Sequence, residues 1–406
     1  MPFEAPELAP PGPRQIGSDF SAPYAVNGLV TFVFAITGPV AILLAVGRQG
    51  GLSESDISSW MFGSFFLNGL ISLAFCWLYR QPLVFLWSIP GAVLIGPALG
   101  HLSFAEVVGA YHATGLLMLA LGVSGWVRRA MQAAVMPIVM AMVAGVFLRF
   151  GLDLVYALRD DFRIAAPMAA AFLALSAAPR LARFVPPLIG ALAVGVAAIA
   201  LLDRFQPVPG AIFEFARPTL YAPAFSWGAM VELVIPLAIT VLAVQNGQGY
   251  AVLGAAGHRP PINAVTIACG AGSMLSALVG AVSTCLTGPV NALLSASGER
   301  TRQYTSGLLF SLLILGFGAL APTFTHLMLA TPKAFIAALG GLAMLRVLQT
   351  AFIASFRTTH SFGALVTFVV TVANVPIFNI GAPFWGLVIG FLCSKLLEPG
   401  DFAKAD

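Results

Sequence analysis

A helix-breaking motif inside a long apolar stretch is the feature that most restricts the fold of this chain. It reads Ser283-Thr-Cys-Leu-Thr-Gly-Pro-Val-Asn291, and a second break, Trp87-Ser-Ile-Pro-Gly91, lies in the first half. Glycine and proline interrupt the backbone hydrogen bonds of a helix, and each freed group is costly in lipid unless it finds a partner. Broken membrane helices survive where they line a cavity, and in transporters that cavity is usually the substrate site. Two broken spans at matching places therefore indicate a carrier.

The composition is that of a polytopic helical membrane protein. Of the 406 residues, 59% are hydrophobic and 9% are charged, and the mean hydropathy is +0.93. An ordinary soluble domain is about 25% charged. The net charge of +4 and the pI near 9.0 come mostly from arginines in short loops. This pattern is typical of the positive-inside effect and does not indicate nucleic-acid binding.

The cysteines predict neither a metal centre nor a disulfide framework. Cys76, Cys269, Cys285 and Cys393 all lie in apolar segments, and no two of them form a metal-binding pair. We interpret them as buried small hydrophobic residues. We expect no metal ion and no cofactor.

Apolar runs separated by charged or Gly/Pro-rich joints predict an all-α membrane protein with about 14 transmembrane segments, at about 20 residues per crossing. The segments at 83–100 and 283–297 are too short for a full continuous helix. We expect each of these two, the third and the tenth span, to be a short extended strand followed by a half-helix. The predicted spans are 25–46, 59–79, 83–100, 104–126, 131–157, 164–178, 186–202, 226–248, 262–281, 283–297, 303–328, 333–356, 361–376 and 381–397.

The charges in the loops predict that both termini lie in the cytoplasm. Basic residues favour one side by two to one, and the positive-inside rule assigns that side to the cytoplasm. Residues 1–23 then form a flexible cytoplasmic tail, 203–225 an external linker, and 399–406 a second cytoplasmic tail. The inner set is Arg14, Arg80, Arg128, Arg129, Arg180, Arg183, Arg259, Arg300, Arg302, Arg357, Lys395 and Lys404, and the outer set is Arg48, Arg159, Arg163, Arg204, Arg217 and Lys333.

The two halves, 24–202 and 226–398, resemble each other as repeats. Pro137, Gly145 and Arg149 match Pro332, Gly340 and Arg346 in order, at an offset of 332 − 137 = 195 for the prolines. Two further pairs, Pro187 with Pro383 and Pro90 with Pro289, give 383 − 187 = 196 and 289 − 90 = 199. Seven spans per half is an odd number, so the second half must be inverted in the membrane, as in many secondary transporters.

Inversion brings the starts of the two half-helices face to face near the middle of the bilayer. Proline suits the first helical turn because it leaves no N–H unpaired. The facing N-termini would attract an anion without a buried basic side chain, and we place no basic residue at that depth. Ordinary kinked helices are the alternative interpretation. The candidate substrate residues here are Ser88, Ile89, Pro90, Gly91, Thr287, Gly288 and Asn291.

A second group of candidates lies in Val244-Gln-Asn-Gly-Gln-Gly-Tyr250, at the end of the eighth span. Gln245, Asn246 and Gln248 are costly in lipid, but they can offer amide donors and acceptors to a carboxylate or hold the unwound backbone of a neighbour. Asn291 belongs with this group, since it could donate to the ligand or brace Gln245. The alternative is a helix terminus with a glycine cap. Phe34, with Phe85 and Trp87, is a weaker candidate for stacking on an aromatic ring.

Three titratable residues are candidates for proton coupling. Glu232, in Met230-Val-Glu-Leu-Val-Ile-Pro236, is the first, because a low-dielectric setting favours the protonated form of a carboxyl group. The alternative is a glutamate at the membrane interface. Glu106 and His112 in the fourth span are weaker candidates, since a lone membrane histidine more often bonds within or between helices.

Three motifs together resemble the bacterial benzoate:proton symporter family. They are Gln245-Asn-Gly-Gln-Gly249, His258-Arg-Pro-Pro-Ile-Asn-Ala264 and Gly280-Ala-Val-Ser-Thr-Cys-Leu-Thr-Gly-Pro-Val-Asn-Ala292, and the resemblance extends over nearly the whole chain. The family is similar in plan to the uracil-permease and sulfate-permease groups. That plan implies a core domain of spans 1–4 and 8–11 and a gate domain of spans 5–7 and 12–14, with substrate between them at spans 3 and 10.

The resemblance implies uptake of benzoate or a similar aromatic carboxylate with a proton, across a bacterial inner membrane. It also implies a homodimer among membrane lipid, and no enzyme activity. Uracil-permease relatives use acidic residues where this chain has Gly288-Pro-Val-Asn291 and Gln245-Asn246. A neutral lining suits a carboxylate better than a nucleobase, but it leaves the proton site open. The rival hypotheses are a transporter of another anion or a nucleobase, an anion channel and, least favoured, a membrane enzyme.

Overall fold

The computed structural model describes residues 4–133, 135–182, 185–206, 213–296, 298–357, 359–378 and 380–402. Arg183 and Lys404, used above to predict the orientation, lie outside these ranges, as do 207–212 of the linker and 403–406 of the C-terminal tail. Helices dominate the described residues, and two short strands interrupt them.

The first half contains ten helices and one strand among its described residues. Two of the long helices begin at capping boxes, which Ser53 and Ser103 each form with the acidic residue three positions later. The elements are α1 (Pro13–Asp19), α2 (Ala22–Gln49), α3 (Glu54–Tyr79), β1 (Phe85–Trp87), α4 (Ile89–Ala98), α5 (Phe104–Ser124), α6 (Val127–Ala133), α7 (Met136–Asp160), α8 (Phe162–Ala177), α9 (Pro179–Ala182) and α10 (Pro187–Leu201).

From α2 onward, the first half consists of a long helix, a second helix, a strand and a short helix, and the second half begins with the same order of elements. Helix α11 contains two wider, π-type segments, Met230–Val234 and Thr240–Asn246. The elements are α11 (Trp227–Ala255), α12 (Ile262–Leu278), β2 (Thr284–Leu286), α13 (Gly288–Leu294), α14 (Tyr304–Ala319), α15 (Ala321–Leu329), α16 (Lys333–Phe356), α17 (Ser361–Ala373), α18 (Ala382–Leu397) and α19 (Pro399–Phe402).

Six helices of the described residues are long and apolar enough to cross a membrane: α2, α3, α5, α7, α11 and α16. The segments Arg300–Ala319 and Ala321–Met328 pass the same test together, with a bend of 70° between them. Shorter apolar helices of 10–17 residues are α4, α8, α10, α12, α17 and α18. Each predicted span overlaps a helix, but the count of fourteen crossings and the inverted repeat stay predictions.

Both predicted broken spans are a short strand followed by a helix. Pro90 and Pro289 lie in the first turns of α4 and α13, where a missing N–H leaves no acceptor unpaired. The two strands pair with each other in antiparallel orientation, which the sequence did not predict. The paired residues are Phe85 with Leu286, Leu86 with Cys285 and Trp87 with Thr284.

Helices from the two halves pack against each other in pairs. The most extensive contacts join α7 to α16 and α5 to α12, and α17 and α18 pack together beside α7. The buried core includes the large side chains Trp60, Trp87, Tyr111 and Phe310. The residue ranges that we predicted for the core and gate domains are not tested by these contacts and stay predictions.

The linker and the N-terminal segment bind to opposite ends of the helices. In the linker, the Thr219 N–H donates to Ser59 near the start of α3, and the Tyr221 N–H donates to the carbonyl of Leu278 at the end of α12. Near the N-terminus, the Glu4 carboxylate accepts from backbone N–H groups at the start of α12. Residues 1–23 were predicted to be flexible, but Glu4 and α1 contact the body of the protein because polar groups at the helix ends need partners.

Candidate functional site

The free backbone edge of each strand is bound by a serine of the preceding helix. The Phe85 N–H donates to Ser72 Oγ at 2.8 Å, and the Thr284 N–H donates to Ser273 Oγ at 2.9 Å. These N–H groups belong to the first residues of β1 and β2, so a serine hydroxyl binds the corresponding backbone group in each half. A strand inside an apolar environment requires such partners.

Two buried asparagines hold the strands from the sides. Asn291 Oδ1 accepts from the Val84 N–H at 2.9 Å, and Asn291 Nδ2 donates to the carbonyls of Val84 and Thr287 at 3.0 and 2.9 Å. Asn246 Oδ1 accepts from the Leu286 N–H at 2.7 Å. Both side chains are 0% exposed. The Asn291 amide bonds to backbone groups, and the Asn246 amide bonds to backbone and to Cys269 Sγ, so both side chains hold the junction of the strands. Their contact with substrate stays a prediction.

The start of α4 is fixed by Ser88. Its Oγ accepts from the Gly91 N–H at 3.1 Å, as an N-cap does, and its hydroxyl donates to Thr240 Oγ1 of α11 at 3.4 Å. At the start of α13, Gly288 lies directly against the side chain of Gln248, and a Cβ at this position would overlap it. A side chain at position 288 would therefore force Gln248 to move, so glycine allows the close approach of α11 and α13.

A cavity of about 440 Å³ lies where the two helix starts meet the pair α7 and α16. This volume is within the usual range for sites that bind small molecules. Of the predicted substrate residues, Ile89, Pro90, Gln245 and Gln248 line it. The remaining predicted substrate residues are absent from its described lining. Phe34 is half-buried on α2. The others belong to the strand junction and to the helix starts, and they are Ser88, Gly91, Asn246, Thr287, Gly288 and Asn291.

Gln245 is the polar group most clearly directed at the cavity. Its side chain is 5% exposed, and no hydrogen-bond partner for it exists among the described residues. The amide is therefore open to a partner inside the cavity, either water or a ligand, and an amide can donate to a carboxylate.

The opposite wall of the cavity is mostly apolar, and the sequence did not identify it. Met136, Met140 and Phe147 come from α7, and Met344 comes from α16. The predicted aromatic partners Phe85 and Trp87 are absent from the described lining of this cavity, whereas Phe147 is part of it. Which face of a helix lines a cavity depends on packing between distant segments, so the local sequence of Phe147 carried no signal for this position.

One basic residue also lines this cavity, contrary to the expectation that none is present. Arg346, in the middle of α16, is an exposed side chain of the wall formed by the second half. The repeat that matches Arg346 with Arg149 was the sequence signal that pointed to it. A charged residue in the middle of a membrane helix is expected to have a function, because its burial in lipid is costly.

A second cavity, of about 270 Å³, lies farther along the same face of α4. Val93 and Pro97, one and two turns after the residues that line the first cavity, face it from α4. Its polar lining includes Gln49 at the end of α2 and the pair Arg149 and Asp153 of α7. The two cavities thus lie along one face of α4, one at its start and one toward its end.

Glu232 is buried and paired with a histidine that the sequence did not single out. Its Oε2 lies 2.8 Å from His101 Nε2, and the Glu232 side chain is 5% exposed. His101 follows the end of α4 at Ala98, and the two partners are 131 residues apart in the chain. A methyl group at Gly381, at the start of α18, would overlap the Glu232 carboxylate. The pair therefore lies where α4, α11 and α18 meet.

The other two candidates for proton coupling have local partners. Glu106 accepts from the N–H and the hydroxyl of Ser103 at 2.8 and 2.7 Å, in the capping box that begins α5. His112 Nδ1 lies 2.9 Å from the carbonyl of Val108 in its own helix. These bonds are those of ordinary structural residues.

Nothing among the described residues forms a metal centre. No group of three or more His, Cys, Asp or Glu side chains in this part of the chain is placed to bind a metal ion. The four cysteines are free, and Cys76, Cys269 and Cys285 are buried.

Comparison with solved structures shows the type of fold. The transmembrane domain of the cyanobacterial bicarbonate transporter BicA matches over 95% of this chain and 100% of its own length, with a TM-score of 0.63 and 15% identity. SLC26A9 matches over 92% of this chain with a TM-score of 0.66 and 15% identity, and this chain spans 64% of its length. The fold is thus that of SLC26-like membrane transporters.

Comparison of sequences shows the family. Inner membrane protein YdcO of Escherichia coli is 27% identical over 93% of this chain and 96% of its own length. The benzoate membrane transport protein of Acinetobacter baylyi is 26% identical over 95% of this chain and 97% of its own length. The family model described as BenE, benzoate membrane transport protein, matches residues 18–396. This chain is therefore a membrane transporter, not an enzyme, and belongs to the BenE family of benzoate membrane transport proteins.

Proposed function

We propose that this protein imports benzoate or a closely related aromatic carboxylate together with a proton, by alternating access. The observation that carries the proposal is the cavity at the starts of α4 and α13. It combines the unpartnered amide of Gln245 with an apolar wall that contains Phe147. An inorganic anion needs no such apolar wall, whereas a benzene ring gains from its burial.

The helix starts contribute to binding in this proposal. The first N–H groups of a helix have no partner within it and carry partial positive charge. Ile89 and Pro90 bring the start of α4 to the cavity, and Pro289 brings the start of α13. The carboxylate would lie near these ends and near Gln245, with its ring toward Met140 and Phe147.

Glu232 is our proposed proton site, with His101 as its partner. The carboxylate is buried, and the imidazole of His101 contacts it from the segment that follows α4. Because the other end of α4 lines the cavity, substrate and proton act on the same short helix. Coupling requires that each ligand favours the same conformational change, since equal affinity for both states shifts nothing.

We further propose that the two halves are inverted repeats and that a core domain moves against a gate domain. The matched bonds of Ser72 and Ser273 to β1 and β2 support a common origin of the halves. The cavities at the start and toward the end of α4 fit two alternating routes to one site. The larger cavity reaches Met136 and Ala354, near helix ends that the loop charges assign to the cytoplasm, so it would be the inward route.

The cellular setting follows from the family and the loops. We propose a multi-pass protein of a bacterial inner membrane, with both termini in the cytoplasm and with lipid around the helices. A homodimer through the gate helices stays a prediction. Crosslinking in native membranes, read by the mass of the crosslinked species, tests it.

Competition experiments test the substrate. Uptake of radiolabelled benzoate into proteoliposomes is measured with excess unlabelled benzoate, uracil, xanthine or sulfate. We expect competition by benzoate alone. Competition by uracil, xanthine or sulfate would favour the rival substrates, and no uptake of benzoate would refute the assignment. A channel would equilibrate benzoate with its gradient and would not accumulate it.

A further inference from the structure

Two arginines occupy equivalent positions in the helix pair α7 and α16. Arg149 follows the first residue of α7, Met136, by 13 residues, and Arg346 follows the first residue of α16, Lys333, by 13 residues. The helices pack closely together, yet the arginines line different cavities: Arg149 the smaller one and Arg346 the larger one. Each route along α4 thus contains one guanidinium group.

The surroundings of the two arginines differ in charge. Four residues after Arg149, on the same face of α7, Asp153 lines the same cavity and compensates the positive charge. The residue four positions after Arg346 is Thr350, which also lines the cavity but is neutral. No acidic side chain is among the described residues that line the larger cavity. The larger cavity therefore carries one positive charge.

The guanidinium group of Arg346 has free hydrogen-bond donors. Its Nη1 donates to Gln349 Oε1 of the same helix at 3.0 Å, the one hydrogen bond of this side chain to the described residues. A guanidinium group has five N–H donors and matches a carboxylate through two parallel hydrogen bonds. Gln245 of α11 lines the same cavity, together with the apolar side chains of Phe147 and Met344. This arrangement fits an anion with an apolar body.

We propose that Arg346 binds the carboxylate of the substrate and selects monocarboxylates over uncharged aromatic compounds. The inference rests on the proposed transport of aromatic carboxylates and adds the residue that recognises the charge. The ring would lie against Phe147 and the methionines, and the amide of Gln245 would donate to the second side of the carboxylate. Arginine suits this role because its charge persists at every physiological pH.

Direct binding of radiolabelled benzoate to the purified protein tests the proposal. Arg346→Gln removes the charge, Arg346→Lys keeps it without the planar fork, and Arg357→Gln removes a matched arginine at the end of α16 that does not line the cavity. We expect Arg346→Gln to weaken binding about tenfold or more, Arg346→Lys to weaken it less, and Arg357→Gln to leave it within about twofold of wild type. Size-exclusion chromatography checks that each variant is folded.

A second measurement uses the wild-type protein alone, in case Arg346→Gln does not fold. Phenylglyoxal modifies guanidinium groups, and mass spectrometry follows the modification of each arginine. We expect benzoate to slow the modification of Arg346 and to leave that of Arg357 unchanged. Benzoate binding by wild type with unchanged affinity in Arg346→Gln, or no protection of Arg346, would overturn this inference alone. No benzoate binding by wild type would overturn the proposed function as well.

Discussion

Replacement of Asn291 by alanine tests whether this residue holds the strand junction or binds the ligand. The asparagine amide makes three hydrogen bonds to backbone groups of Val84 and Thr287 and is 0% exposed. In Asn291→Ala, the buried N–H of Val84 loses its acceptor, which costs about 1–3 kcal/mol. The two lost bonds to carbonyls add about 1 kcal/mol, because those oxygens keep other donors. We expect a loss of about 2–4 kcal/mol in the free energy of unfolding.

The matched variant is Gln245→Ala. Gln245 is nearly as buried, at 5% exposure, but it has no hydrogen-bond partner among the described residues. Its removal should change stability by less than about 1 kcal/mol and weaken benzoate binding about tenfold. Equilibrium unfolding in mixed micelles measures stability, and binding of labelled benzoate measures affinity. Wild-type stability of Asn291→Ala with lost affinity would show that Asn291 contacts the ligand, and would refute the reasoning.

Two further predictions concern acidic residues with contrasting partners. Glu232→Gln should abolish accumulation of benzoate driven by a proton gradient but keep benzoate exchange across the membrane. Glu106→Gln, which changes a residue of a capping box, should keep both activities. Loss of exchange in Glu232→Gln would contradict a role specific to the proton. Glu4→Ala should reduce stability by about 0.5–2 kcal/mol, because Glu4 caps the start of α12. Glu7→Ala should cost less than about 1 kcal/mol, since the ion pairs of Glu7 are exposed. Equal effects of the two tail variants would contradict the capping role.

The broken spans were predictable because their signals are local. Pro90 and Pro289, each next to glycine, mark the places where extended chain becomes helix, and the structure starts α4 and α13 within one residue of them. The amides at 245–248 also stand out in the sequence as polar residues in an apolar segment. Their individual roles were not separable, since Gln245 reaches the cavity and Asn246 turns to the backbone of Leu286.

The remaining features depend on contacts between distant segments. The pairing of β1 with β2 joins residues about 200 positions apart, and no local pattern encodes that register. His101 meets Glu232 only because the end of α4 packs beside α11. Arg346 was visible as one member of a repeat, but its position in the cavity wall depends on the rotation of α16 against α7.

Uptake of radiolabelled benzoate into proteoliposomes with an inward proton gradient tests the central claim most directly. We expect benzoate to accumulate above its external concentration and the accumulation to collapse when a protonophore is added. Equilibration of benzoate across the membrane, unaffected by the proton gradient or the protonophore, would contradict proton symport and would point to a uniporter or a channel.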